Sequence, residues 1–119
     1  MVDKVIIEGW GSLDLLKIVK RASWVPSNPC GRNFMGLSLA GNVLNSTPDD
    51  LAPVKYRITI EAVEKGEKFA VDGHCFPDLL MEMMGYLPIA FSVSFAGQKL
   101  IQKPNKETRF YRVTIETVK

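Results

Sequence analysis

The sequence predicts an α+β fold. A strand–helix–strand–strand unit is written twice in tandem, giving a six-stranded, mainly antiparallel sheet with two helices packed on one face and a pseudo-twofold axis between the halves. Three observations carry this. Blocks of sequence recur in the same order in both halves, the last block of each half alternates apolar and polar residues at period two, and the stretch after each first block spaces its apolar residues as a helix does.

The recurrence is specific. Tyr56-Arg57-Ile58-Thr59-Ile60-Glu61-Ala62-Val63 matches Tyr111-Arg112-Val113-Thr114-Ile115-Glu116-Thr117-Val118, with six of eight positions identical. Ser38-Leu39-Ala40-Gly41 matches Ser94-Phe95-Ala96-Gly97, and a proline stands further on in each copy, Pro48 and Pro104. Gly9 with Asp14-Leu15-Leu16 matches Gly73 with Asp78-Leu79-Leu80. The offset is 64 residues at the first block, 56 at the second and 55 at the last, so the first copy carries an insertion of about eight residues, placed near 23–33. The single domain 1–119 thus divides into repeats 1–63 and 64–119, each with a net charge of +1.

Each unit opens on a short strand. Val5 and Ile7 correspond to Phe69 and Val71, and an acid plus glycine closes the strand, Glu8-Gly9 and Asp72-Gly73. Ser12 suits the N-cap of the first helix and Pro77 the first position of the second. Asp14 and Asp78 favour the positive ends of those helices. Leu15, Leu16 and Val19, like Leu79, Leu80 and Met83, line one helical face. The middle strand sets Ile89, Phe91, Val93 and Phe95 against small or polar residues, and Met35, Leu37 and Leu39 repeat the pattern. Gly41 and Gly97 are expected to end these strands at a turn. The last strand alternates most clearly, with Tyr56, Ile58 and Ile60 opposing Arg57, Thr59 and Glu61. Glu64-Lys65-Gly66-Glu67 reads as the hairpin turn into the second unit. A unit of about 56 residues is marginal alone, and two sharing one core is the remedy. The alternative packing closes the six strands into a small barrel.

Composition narrows the function classes. The chain has 119 residues, 46% hydrophobic and 24% charged, with a net charge of +2. That charge is too small to argue for a nucleic-acid or membrane field. No stretch approaches the roughly 20 apolar residues needed to span a bilayer, and the N-terminal run Val5-Ile6-Ile7 is far short of a signal-peptide core. Two cysteines do not make a disulfide framework. The expectation is a cytoplasmic protein with free thiols.

The second unit, Gly66-Glu67-Lys68-Phe69-Ala70-Val71-Asp72-Gly73, then Pro77, a short helix, Leu87-Pro88 and Phe91-x-x-x-Phe95-x-Gly97, resembles a group of small bacterial and archaeal repeat proteins with no assigned activity. Their units read Gly-Asp/Glu-x-Phe-x-Val-Asp-Gly, a Pro-led helix and a strand ending in Phe-Gly-Gly. The match covers most of 66–118. It departs where the helix lacks the cysteine of those units and where Ala96-Gly97 replaces the double glycine. The resemblance implies a fold repeat and brings no catalytic residue.

His74-Cys75 is the feature closest to chemistry: the only histidine, beside a thiol, after Asp72 and near a helix N-terminus that would lower a thiol pKa. With Cys30 these residues make a candidate ligand or metal set, although a structural zinc site needs about four ligands and no Cys-x-x-Cys spacing exists. The plainer reading is a polar strand-to-helix loop. Trp10, Trp24 and Arg32 are loop candidates, the last two inside the insertion. The Met81, Met83 and Met84 cluster reads as core packing. No phosphate loop, nucleophile elbow or paired-carboxylate signature is present, and no cofactor is expected. The preferred function is a non-enzymatic binding or assembly module with a protein partner or small ligand, with homo-oligomerisation in view. The alternative is a metal-binding protein or small enzyme around His74 and Cys75. Nucleic-acid binding through Lys55, Arg57 and Arg112 ranks last, because the charge is low and no strand is patterned with surface aromatics.

Overall fold

Alternating side chains dictate long strands, and long strands dominate the molecule. The computed structural model describes residues 4–23, 34–39, 42–45, 48, 50–84, 94–95, 98–100 and 106–118. The chain runs β1 (Lys4–Ser12), α1 (Leu15–Ser23), β2 (Phe34–Leu39), β3 (Asn42–Asn45), β4 (Val54–Ala62), β5 (Glu67–Cys75), α2 (Leu79–Met84), β6 (Ser94–Phe95), β7 (Gln98–Lys99) and β8 (Thr108–Thr117). The strands form one sheet in the order β1-β8-β4-β5-β3-β2-β6-β7. Every pairing in it is antiparallel. The first and last strands of that order, β1 and β7, come into contact, so the sheet curls into a half-barrel instead of lying open.

The described residues thus form eight strands where the sequence predicts six. The added pair is β3 and β7. Strand β2 pairs antiparallel with β3, Leu39 opposite Asn42, and β6 with β7, Phe95 opposite Gln98; Gly41 and Gly97, expected at turns, lie outside the described residues. Strands of four and two residues are too short to display a period, which is why the sequence reads them as turn and loop. The predicted strand through Ile89, Phe91 and Val93 lies outside the described residues, apart from Ser94 and Phe95.

Strands β1 and β5 also run further than the sequence predicts. The sequence pattern stops both strands at glycine, yet β1 continues through Gly9 to Ser12 and β5 through Gly73 to Cys75. The reason is cross-strand pairing. Gly9 faces Tyr111 and Gly73 faces Tyr56, and both tyrosines are fully buried. A bulky ring opposite a residue with no side chain keeps the pleat filled, so the glycine is a packing partner here and not a terminator. The tyrosine hydroxyls then tie down the following loops. That of Tyr111 donates to the Ser12 carbonyl, and that of Tyr56 lies 2.8 Å from the Pro77 carbonyl and 3.0 Å from that of Phe76.

The inner face of β1, β8, β4 and β5 is the core. Val5 and Ile7, Tyr56, Ile58, Ile60 and Ala62, and Tyr111, Val113 and Ile115 are all buried. Leu15, Leu16 and Val19 of α1 and Leu79, Leu80 and Met83 of α2 join the same cluster. The helices therefore sit on that face with the stripe predicted for them. The Ser12 hydroxyl accepts from the Asp14 amide at 3.2 Å, but Ser12 ends β1 and is not the predicted N-cap. The Asp14 carbonyl accepts the first helical bond, from Ile18 at 3.0 Å, as the Asp78 carbonyl does from Glu82 at 3.0 Å in α2. Asp14 and Asp78 are therefore the caps, and Pro77 stands just before its cap instead of at the first helical position. Between β4 and β5 the amides of Lys65 and Gly66 both reach the Ala62 carbonyl, and Gly66 takes φ +71°, a backbone angle that suits glycine. Among the described residues no helix is long and apolar enough to cross a membrane.

Candidate functional site

Period two decides what the predicted site can be. In β5, Gly73 and Cys75 turn to the core, while Asp72 and His74 lie on the outer face. His74 and Cys75 are consequently neighbours in sequence that point to opposite sides of the sheet. They are strand residues, not the loop at a helix start that the sequence predicts. Cys75 is 3% exposed, and burial pushes its thiol pKa up, outweighing a backbone hydrogen bond near Phe76. The depressed thiol pKa expected of a helix start is therefore overturned, and desolvation is the cause.

Asp72 is already engaged. Its carboxylate accepts from Arg57 at 2.9 and 3.1 Å and lies 3.8 Å from the Lys55 ammonium. His74 is half-buried and paired across the sheet with Lys55 on one side and Asn45 on the other. Its Nδ1 is buried with no hydrogen-bond partner among the described residues. Trp10 is likewise a strand residue, stacked edge-on against Phe110 with ring centroids 5.1 Å apart. Cys30, Trp24 and Arg32 lie outside the described residues. Of the predicted set, then, the structure brings together only Asp72 and His74, on one face. No group of three or more His, Cys, Asp or Glu that could hold a metal ion occurs among the described residues. An open polar hollow of about 460 Å³ lies elsewhere, lined by Ser12, Leu13, Asp14, Glu107 and Thr108, and holds none of the predicted residues.

Among the described residues, the outer face of β1-β8-β4-β5 carries ordered rows of polar and charged side chains. Three rows of residues cross it. One runs Lys4, Glu116, Arg57, Asp72; the next Ile6, Thr114, Thr59, Ala70; the third Glu8, Arg112, Glu61, Lys68. Arg112 stands between two carboxylates, 2.9 Å from Glu8 and 3.6 Å from Glu61. Arg57 holds Asp72, and the hydrogen bond and charge of Asp72 raise the arginine's already high pKa. Ile6 is 42% exposed in the middle row. Arg57 and Arg112, weighed in the sequence as nucleic-acid contacts, are thus committed to carboxylates of their own sheet. The face was only half legible beforehand. The polar positions of each last strand show in the alternation, but the partners supplied by β1 and β5 do not, since Glu8 and Arg112 are 104 residues apart.

No protein-family model matches the chain, and comparison with curated proteins and with solved structures finds no similar one.

Proposed function

We propose that this chain is a non-enzymatic binding or assembly module of the cytoplasm, a duplicated unit whose working surface is the outer face of β1-β8-β4-β5, docking another protein surface of mixed charge. The observation that carries the reading is that face itself: four long strands, exposed or half-buried residues throughout, and charges set in ordered rows around a central strip of Ile6, Thr114, Thr59 and Ala70. Mixed charges in fixed positions suit recognition of a surface, where complementarity sets specificity and association rate. The free, buried thiol of Cys75 is consistent with a reducing compartment.

Duplication is supported by the registers. Shifting β4 numbers by 55 and β5 numbers by 64 less carries the Tyr56–Gly73 pair onto Tyr111–Gly9, and Arg57–Asp72 onto Arg112–Glu8. The Thr59–Thr114 pair is carried onto itself, as it would be by a twofold axis passing through it. A duplicated scaffold of this kind presents one face with the same chemistry at both ends.

The test is a photo-reactive amino acid placed at Thr59 of the full chain, with Glu82 on the exposed side of α2 as the control site, in the cells that make the protein. A discrete covalent adduct from Thr59 and none from Glu82 is expected, and Arg57→Glu/Asp72→Arg should abolish it. Adducts equal at both sites, or none at Thr59, would overturn the reading.

A further inference from the structure

We propose that the partner of the outer face is a second copy of this chain, docked sheet to sheet as an isologous dimer; this rests on the docking reading above. The arrangement of charge on the face selects that partner. Along the first row the signs run plus, minus, plus, minus through Lys4, Glu116, Arg57 and Asp72. Along the third they run minus, plus, minus, plus through Glu8, Arg112, Glu61 and Lys68. On every one of the four strands the two charges flanking the middle row are therefore opposite.

A face with that property complements itself. Turn a copy about a twofold axis lying along the uncharged middle row and each of the eight charges in the first and third rows meets its opposite: Arg57 over the second copy's Glu61, Glu116 over its Arg112, Lys4 over its Glu8, Asp72 over its Lys68. The middle row meets itself, so the exposed Ile6 packs on Ile6 and the threonine methyls on one another. Packed sheets keep their strands within about 30° of each other, so the match is closest at the central strands β4 and β8 and loosens towards β1 and β5.

Magnitudes set the strength. Because the sheet curls away from this face, two copies meet mainly along β4 and β8, so the buried area falls below the roughly 1,000 Å² of a stable specific interface and belongs to the weak, transient class. Exposed ion pairs add little affinity, but their layout selects the register and repels wrong ones. A weak, salt-sensitive dimer follows.

Sedimentation of the full chain over a concentration series tests this. A monomer–dimer equilibrium is expected, weakening about tenfold from low to high salt. Arg57→Glu/Asp72→Arg keeps the internal ion pair but sets the new carboxylate over the second copy's Glu61, and should be monomeric. Glu61→Arg/Lys68→Glu should also be monomeric, because it sets two guanidinium groups face to face. Mixed, the two variants should pair, because the carboxylate introduced at position 57 of one then meets the guanidinium introduced at position 61 of the other. Should a variant not fold, the Thr59 cross-linker in purified protein decides: an adduct of twice the chain mass supports the dimer. A wild-type chain that stays monomeric at millimolar concentration overturns it, and so does a mixture that fails to pair. If a Thr59 adduct with a different polypeptide still forms in cells, only the second-copy proposal falls; if none forms, the docking reading falls with it.

Discussion

Two tyrosines act as bolts between sheet and loop. The Tyr111 ring is buried opposite Gly9, and its hydroxyl donates to the Ser12 carbonyl just before α1. Tyr111→Phe keeps the ring and leaves that carbonyl without its donor, a loss of about 1–2 kcal/mol, or a melting point lower by about 4 °C for each kcal/mol. Burial raises the pKa of both Tyr56 and Tyr111, desolvation being the largest cause in each. In the unfolded chain the phenols ionise near the ordinary value of about 10, while in the folded state they still hold their protons. Stability from these groups is therefore fully present below pH ~10 and is lost as pH rises through the higher folded values. Alkaline unfolding followed by circular dichroism should show a steep loss above that point, shallower in Tyr56→Phe/Tyr111→Phe; an unchanged slope would refute the assignment. Gly11 is the tightest spot nearby. A Cβ there would sit 3.0 Å from Leu15 Cδ2, 3.1 Å from Leu100 Cδ2 and 3.3 Å from Tyr111 Cδ2. Gly11→Ala should cost about 1–2 kcal/mol in urea unfolding, since three neighbours must shift together.

At the scale of the element, β4 separates the protein's two chemistries. Ile58 points inward and is fully buried, between Val71 of β5 and Ile115 of β8. Thr59, its neighbour, lies on the outer face. Ile58→Ala should cost about 3 kcal/mol by lost transfer energy and the cavity left behind, whereas Thr59→Ala should stay within about 0.5 kcal/mol. Comparable costs from the two substitutions in denaturant unfolding would contradict the inward–outward assignment. This alternation is the part of the fold that local sequence reports well, and the cores of the long strands, both helices and the Gly66 turn were legible because each depends on residues within a few positions. What the sequence hides is long-range. Gly73 reads as a strand end until Tyr56 is known to face it, and once β5 runs on to Cys75 the pleat puts His74 and Cys75 on opposite faces. The same gap concealed the charged rows: Arg57 and Arg112 look free until β5 supplies Asp72 and β1 supplies Glu8.

At the scale of the whole molecule, neither half of the chain owns a core. Strand β1, from the first half, pairs with β8 from the second, and β4 lies between β8 and β5, both from the second. The helices cross in the same way, α1 packing on β5 and α2 on β1. The adjoining edges of the halves are thus mutual, and opening one half exposes the apolar surface of the other. Unfolding should accordingly be a single cooperative transition, as is usual for a domain of this length. Trp10, stacked on Phe110, reports on the β1–β8 pair, and in a Trp24→Phe background it is the sole tryptophan. Its fluorescence midpoint in urea should coincide with the far-ultraviolet circular dichroism midpoint, which averages every element. Native-state hydrogen exchange should then give the same opening free energy for the central amides of β1, β8, β4 and β5. If the β4–β5 hairpin stayed protected while β1 exchanged freely, the two halves would be separate cooperative units, and a core built jointly from both would be ruled out.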